Sequence, residues 1–315
     1  MKKAIILLNM GGPNNLEEVE LFLKNMFNDP NILTMKSGLL RRFIAGMITF
    51  MRTESSQEIY RKLGGKSPIV DHTKRVVSAL QESIGSDVIV DFAMRYTPPF
   101  AAEVIERLVK EEVKKIYLIP LYPQYSTTTT KSSLEDFEEA LHKSGLDAVL
   151  LEIKHYYENE SYNEALISRI AEKMGNAGCR DYDLIFSAHG LPQKIVDAGD
   201  PYRRQIERHV EILKQKLAEH SMEFKDVHLA YQSKVGPMKW LEPSLEETLE
   251  TMKGRKVIVY PLAFTIDNSE TDFELEIEYR EHAQELGLED YRVCSCVNDH
   301  PLFIKALAEI YMKMH

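Results

Sequence analysis

Short apolar runs of strand length, each followed by a longer helical pattern, constrain this chain more than any other feature. They fall at residues 4–8, 88–94, 116–121 and 148–153 in the first half, and at 184–187, 227–231, 257–262 and 291–294 in the second. A strand covered on both faces reads as a continuous β-branched run, and parallel neighbours need a crossover long enough for a helix. The pattern therefore predicts an α/β chain of two Rossmann-like lobes, each a four-stranded parallel sheet flanked by helices. At 315 residues the chain also exceeds the size at which a single core stops growing. The lobes are expected over residues 1–145 and 146–300.

The halves look related. Lys3-Ala4-Ile5-Ile6-Leu7-Leu8-Asn9-Met10-Gly11-Gly12-Pro13 parallels Asp183-Leu184-Ile185-Phe186-Ser187-Ala188-His189-Gly190-Leu191-Pro192. Lys115-Ile116-Tyr117-Leu118-Ile119-Pro120-Leu121 parallels Arg255-Lys256-Val257-Ile258-Val259-Tyr260-Pro261-Leu262. The two alignments differ in offset, which places an insertion of roughly 40 residues between the first two strands of the first half. Such a duplication turns the strand-end loops at Met10 and His189 toward a shared cleft between the lobes, the expected place of an active site.

The insertion, about residues 30–70, carries Leu40, Phe43, Ile44, Met47, Ile48 and Met51 at helical spacing on one side, flanked by Arg41, Arg42 and Arg52. Leaving such a stripe in water forgoes about 1.5–3 kcal/mol for each large side chain. Two coverings are open. The helix packs on its own lobe, or it forms an apolar lip that covers a flat greasy ligand or dips into a membrane surface.

Charge and cysteine usage narrow the function classes. A net charge of −10 argues against a phosphate-binding surface, so no nucleic-acid partner is expected. The apolar run after Met1-Lys2-Lys3 ends at Asn9, too short for a secretory core or a membrane span, which predicts a cytoplasmic protein. Cys179, Cys294 and Cys296 suit a reducing compartment and give no disulfide framework. Cys294 and Cys296 read as core or strand-end thiols, since no second pair completes a metal site. Gly11-Gly12-Pro13 is not a dinucleotide fingerprint, because a proline stands where the backbone must donate to a pyrophosphate.

Ser187-Ala188-His189-Gly190-Leu191-Pro192 ends an apolar strand, so His189 sits at its carboxyl end, where reacting groups collect in open α/β sheets. About eighty residues on comes Asp267-Asn268-Ser269-Glu270-Thr271-Asp272-Phe273-Glu274. A histidine facing a row of carboxylates is a candidate for proton transfer or for a divalent metal. With an ordinary pKa near 6.5 it is mostly neutral at cytosolic pH. If the chain is α-helical from Ser269, then Glu270, Glu274 and Glu278 form a row with one turn, about 6 Å, between members. The row is a solvated acidic face or a ladder that passes protons outward and a cation inward; Glu278 is read as solvated.

Several segments, in order, carry a resemblance to a known family. They are Leu8-Asn9-Met10-Gly11-Gly12-Pro13, Tyr60-Arg61-Lys62-Leu63-Gly64-Gly65-Lys66-Ser67-Pro68-Ile69, Ala93-Met94-Arg95-Tyr96 and Leu121-Tyr122-Pro123-Gln124-Tyr125-Ser126. The strand-end segment at His189, Tyr231-Gln232-Ser233-Lys234-Val235-Gly236-Pro237-Met238 and Asp267-Asn268-Ser269-Glu270-Thr271 complete the set. Together they resemble the ferrochelatases, which insert ferrous iron into a porphyrin to make haem. The resemblance implies an enzyme acting on protoporphyrin IX, the terminal step of haem biosynthesis. Porphyrin and Fe2+ are then the substrates, with no permanently bound cofactor.

For individual residues, the resemblance implies that His189 and Glu270 handle protons and metal. Glu274 and Asp267 would relay protons or metal, Asp267 orienting His189 or its loop. Met10 and Tyr122 would pack on the macrocycle. Arg95 would pair with a propionate, or serve as a strand-end salt bridge. Gln232 and Ser233 would hydrogen-bond the ligand, and Trp240 would wall the pocket or anchor the core. A final helix, 301–315, would pack back on the first lobe.

The chain departs from the family pattern in places. Many relatives carry histidine where Asn268 stands, and asparagine takes up no proton near neutral pH. The cysteines do not match the pattern of iron–sulfur relatives, and the chain ends at His315 without a cysteine-bearing extension, so no cluster is expected. The stripe resembles the lip of relatives that use protoporphyrin, which favours that substrate and a peripheral contact with the inner face of the membrane. Two other readings stay open: a related chelatase for coproporphyrin or sirohydrochlorin, and a porphyrin or haem carrier without turnover, which would tolerate loss of His189.

Overall fold

A computed structural model of the chain describes residues 2–234, 236 and 238–314; Val235 and Pro237 of the Tyr231-to-Met238 segment lie outside them. The apolar runs become strands: β1 (Lys3–Asn9), β2 (Val88–Met94), β3 (Lys115–Pro120) and β4 (Val149–Glu152) in one sheet. A second sheet contains β5 (Tyr182–His189), β6 (Val227–Gln232), β7 (Lys256–Pro261) and β8 (Asp290–Val293). Their orders, β2-β1-β3-β4 and β6-β5-β7-β8, correspond strand for strand, and every pairing is parallel. This shared order is what an internal duplication would leave.

The helices are α1 (Glu18–Asn28), α2 (Gly38–Lys62), α3 (Ile69–Ile84), α4 (Ala101–Lys110), α5 (Ser132–Ser144) and α6 (Glu160–Met174). They continue with α7 (Gln193–Asp197), α8 (Tyr202–Glu219), α9 (Leu245–Glu250), α10 (Tyr279–Leu286) and α11 (Pro301–Lys313). Contacts divide the chain into two units, Met1–His155 with Leu307–His315, and Tyr156–Ala306.

In the first unit, Ala4, Ile6, Leu8, Ile116 and Leu118 pack with residues of α4 and α5 such as Val104, Leu108 and Phe137. The alternate residues Ile5, Leu7, Tyr117 and Ile119 are also fully buried. The strands are therefore covered on both faces, which is why their sequences run apolar without alternation. Tyr311 of α11 meets Tyr117 edge-on, with ring centroids 4.8 Å apart. In the second unit, Ile185, Val257 and Val259 pack with Leu245 and Leu249 of α9 and Ala283 of α10.

The apolar stripe of the insertion lies on α2. The helix packs beside α1 and buries Ala45, Thr49 and Tyr60, while Leu40, Phe43, Met47 and Met51 are exposed and Ile44 and Ile48 half-buried. Leu39 and Phe50 extend the exposed face, Phe43 at 70% and Phe50 at 88% exposure.

One element differs from expectation. Residues Glu270–Glu278 form a π-helix, followed directly by α10. Its i→i+5 bonding widens the turn, so residues four and five apart still share a face but a strict four-residue row drifts off it. Glu270 and Glu274 are half-buried, whereas Glu278 is exposed. A shorter π-helical turn, Thr127–Lys131, occupies the corresponding place after β3 in the first unit.

Candidate active site

In the second sheet the connections reverse direction between β5 and β7, and the carboxyl ends at such a reversal are where an open sheet leaves room for a ligand. His189 closes β5 at this point, in register with Gln232, which closes β6. After β7 the chain runs through Asp267 and Asn268 into the π-helix that begins with Glu270.

His189 is held on several sides. Its Nδ1 bonds the Gly190 carbonyl at 2.7 Å, its Nε2 lies 3.3 Å from Glu270 Oε1, and the Tyr202 hydroxyl donates to its carbonyl at 2.9 Å. Phe264 stands edge-on to the imidazole, with centroids 6.3 Å apart. The next residue has to be glycine. A Cβ on Gly190 would stand 2.8 Å from the Gln232 carbonyl and 3.2 Å from the Trp240 ring. Trp240 thus packs against this loop, in a β-bridge with Pro192.

Electrostatics reverse the expected protonation of His189. Burial opposes a charged imidazole, but the Glu270 carboxylate, joined by Glu274 and the Gly190 carbonyl, outweighs it and pushes the pKa up to about 9. At neutral pH the side chain is an imidazolium paired with Glu270, not the neutral base its ordinary pKa suggested. Glu274 shifts upward as well, to about 6, through burial and the neighbouring Glu270, against the donors Ser233 and Gln232. One carboxyl group near the site therefore exchanges a proton close to neutral pH.

Gln232 and Ser233 are engaged with protein groups. Gln232 Nε2 and Ser233 Oγ both donate to Glu274 Oε2, at 3.1 and 2.6 Å, and Ser187 Oγ donates to Gln232 Oε1 at 2.8 Å. Asp267 does not bond His189. Its carboxylate accepts from the Cys296 amide at 2.9 Å and from Asn298 Nδ2 at 2.6 Å, bracing the segment between β8 and α11. Asn268 caps the π-helix: its Oδ1 accepts from the Glu270 amide at 2.8 Å, and its Nδ2 donates to the Ile266 carbonyl at 3.0 Å. Where a histidine would titrate, this asparagine orders the segment that carries Glu270.

The first-unit candidates are placed differently. All three nitrogens of the Arg95 guanidinium are taken: Nε donates to Ser132 Oγ at 2.9 Å, Nη1 meets Asp136 at 3.2 Å and Nη2 meets Asp29 at 3.2 Å. Its observed partners are carboxylates of its own unit, as the salt-bridge alternative anticipated. Tyr122 is buried with its hydroxyl 3.3 Å from Ser133 Oγ, and Met10 is half-buried at the end of β1.

Tyr202 and Ser187 went unread in the sequence. Tyr202 lies 13 residues beyond His189 and reaches its carbonyl only because α8 begins beside the strand end. Ser187 shares the His189 face of β5 by strand alternation, a signal available in principle. A further cluster, Asp183, Asp226 and His228, lies at the amino ends of β5 and β6. Arg255 Nη2 already bridges its carboxylates at 2.6 and 2.8 Å, which makes it an ion-pair staple.

Comparison with known proteins shows the family and the fold. A family model described as Ferrochelatase matches residues 2–315. A ferrochelatase of Sulfurimonas denitrificans is 64% identical over 313 residues, covering 99% of each chain. One from Helicobacter pylori is 47% identical, over 98% of this chain and 92% of its own. Among solved structures, SirB from Bacillus subtilis with Fe3+ aligns over 100% of this chain and 96% of its own, with a TM-score of 0.59 at 14% identity. CbiX, the terminal enzyme of sirohaem biosynthesis in denitrifying bacteria, aligns over 100% of both chains with a TM-score of 0.52 at 14% identity. At such identities the structural matches establish the fold alone.

Proposed function

The chain belongs to the ferrochelatase family, and from that premise we propose how its residues carry out the family's reaction, the exchange of two porphyrin N–H protons for one ferrous ion. It inserts iron into a porphyrin to make haem. The observation that carries the residue assignment is the His189–Glu270 pair, 3.3 Å apart, with Glu274 behind it.

Two protons leave as two positive charges arrive, so the site must release protons and attract a cation. Before iron arrives, the imidazolium cannot act as a base. A dication approaching Glu270 repels the imidazolium and competes for the carboxylate that stabilises it, so His189 Nε2 releases its proton to water. The freed nitrogen then takes the two pyrrole protons one after the other and hands each on to water by way of the Glu274 carboxylate, so two protons leave for each ferrous ion and the imidazole ends neutral beside the dication. Nitrogen and carboxylate oxygen both suit ferrous iron.

Iron is substrate here, and we propose no resident cofactor or cluster. Cys294 and Cys296 are buried, and burial pushes both thiols up, away from the thiolate a cluster needs.

We take the porphyrin to be protoporphyrin IX and the protein to work from the cytoplasmic side, touching the membrane through α2. The exposed Leu39, Phe43, Phe50 and Met51 with Arg41 and Arg42 beside them support this reading, and among the described residues no helix is long and apolar enough to cross a membrane. For the first unit we propose Met10, Arg95 and Tyr122 as porphyrin contacts, Tyr122 through its ring, with Arg95 also paired to Asp29 and Asp136 and the Tyr122 hydroxyl set beside Ser133.

The test is anaerobic insertion of ferrous iron followed by loss of porphyrin fluorescence, with porphyrin binding measured separately. Turnover that collapses in His189→Ala and Glu270→Ala while binding persists supports the assignment. Binding without turnover in the wild type would instead mark a carrier.

A further inference from the structure

The side chains around Glu274 form a chain of hydrogen bonds that begins away from the reacting groups. Ser187 is fully buried and Gln232 nearly so. Ser187 Oγ donates to Gln232 Oε1 at 2.8 Å, which satisfies the one acceptor of that buried amide. The amide nitrogen then has both protons for the other side, where it meets Glu274 Oε2 at 3.1 Å and the Glu270 carbonyl at 3.3 Å. A flipped amide would set its oxygen against both acceptors, so only one orientation is tolerated.

Ser233 adds a second donor to the same Glu274 oxygen at 2.6 Å. It does so from φ of 66°, a left-handed conformation in which a serine is uncommon. A strained backbone that places a hydroxyl on a half-buried carboxylate is the kind of outlier that points to a role. Both donors converge on Oε2, and Oε1 carries neither.

We propose that Ser187, Gln232 and Ser233 are positioning residues that fix Glu274 in one rotamer with Oε1 available to protons or iron, and that they do not bind the porphyrin. The inference rests on the reading of Glu274 as part of the relay. Strand alternation organises it. Ser187 and His189 leave the same face of β5, so one strand addresses Glu270 through its histidine and Glu274 through Ser187 and Gln232.

Steady-state insertion with ferrous iron and protoporphyrin IX tests this, alongside porphyrin affinity from fluorescence quenching, for Ser233→Ala, Ser233→Gly, Gln232→Ala, Ser187→Ala and the pair Ser187→Ala with Gln232→Ala. Glycine suits φ of 66° better than serine, so a purely conformational role for Ser233 leaves Ser233→Gly active. The positioning role instead predicts that the alanine and glycine variants lose kcat alike, roughly tenfold for one charge-assisted hydrogen bond. Porphyrin KM and affinity should stay unchanged, and Ser187→Ala should add nothing to Gln232→Ala.

An active Ser233→Gly, a fall in porphyrin affinity, or additive effects of Ser187→Ala and Gln232→Ala would overturn the proposal. Folding is checked by circular dichroism, and retained porphyrin binding reports an intact site. If Glu274→Gln keeps full turnover, the relay reading fails instead, which separates the two.

Discussion

His189 Nε2 and Glu270 Oε1 stand 3.3 Å apart at the carboxyl end of the strand that leads the second sheet. The pair explains why His189 is charged: its pKa is pushed to about 9 although burial works the other way. Removing the carboxylate charge by Glu270→Gln should return the His189 pKa toward 6.5 or below, as measured by NMR titration of the ring protons. Because the folded pKa lies above the unfolded one, the pair's stabilising contribution is complete below about pH 6.5 and fades as pH rises through 9. Glu270→Gln should therefore lower the melting temperature at pH 6 and leave it nearly unchanged at pH 10. An equal loss at both pH values would mean the pairing is not electrostatic.

Glu274 carries the opposite sign. Its folded pKa, about 6, lies above the ordinary value of 4.5, so its ionised form is penalised in the folded protein. Stability from this group falls as pH rises from about 4.5 through 6 and stays lower above that. Glu274→Gln should then raise stability at pH 8 by up to about 2 kcal/mol, leave it unchanged at pH 4, and slow metal insertion. A gain in stability with loss of turnover is what a carboxylate held against burial and, to a smaller extent, the charge of Glu270 produces. Denaturant midpoints at the two pH values, with insertion rates beside them, decide the matter.

The fold was readable because buried parallel strands leave a continuous apolar signature. Each predicted run lies within about two residues of a strand, and the two halves repeat one strand order. His189 and Glu270 were readable for a related reason, since strand ends and the segments after them are where an open sheet exposes reactive groups. The π-helix was not, because Glu270 and Glu274 fit an α-helical four-residue spacing equally well. Nor could charge state be read from residue type, since it depends on a carboxylate 81 positions away in the chain coming to 3.3 Å. Arg95, Gln232 and Ser233 were recognised as polar groups at strand ends. Which partner each takes is decided by three-dimensional neighbours such as Asp29, Asp136 and Glu274.

The exposed face of α2 predicts a membrane interaction separable from folding. Phe43 and Phe50 are mostly in water, so replacing both by serine should leave the melting temperature within experimental scatter. Sedimentation with anionic vesicles should weaken by tenfold or more, since each phenylalanine contributes about 1.5–3 kcal/mol when it enters an apolar phase. Arg41→Gln with Arg42→Gln should remove the salt-sensitive part, about 1 kcal/mol for each charge. Vesicle binding that ignores all of these changes would assign the face to another contact.

Two glycines make a matched pair for testing whether the strand-end loop is sterically locked. At Gly190 a methyl group would meet the Gln232 carbonyl at 2.8 Å and the Trp240 ring at 3.2 Å; at Gly46, within α2, it would meet nothing within 4 Å. Gly46→Ala should stabilise the protein by up to about 1 kcal/mol, because alanine loses less backbone freedom in a helix. Gly190→Ala should destabilise it by roughly 1–3 kcal/mol, because the crowding atom is backbone and cannot swing aside. The same displacement moves the peptide whose carbonyl holds His189 Nδ1, so insertion should slow beyond what the stability loss explains. Equilibrium unfolding of both variants, with turnover measured well below their midpoints, separates the two effects; a Gly190→Ala protein as stable and as active as wild type would show that the loop yields freely.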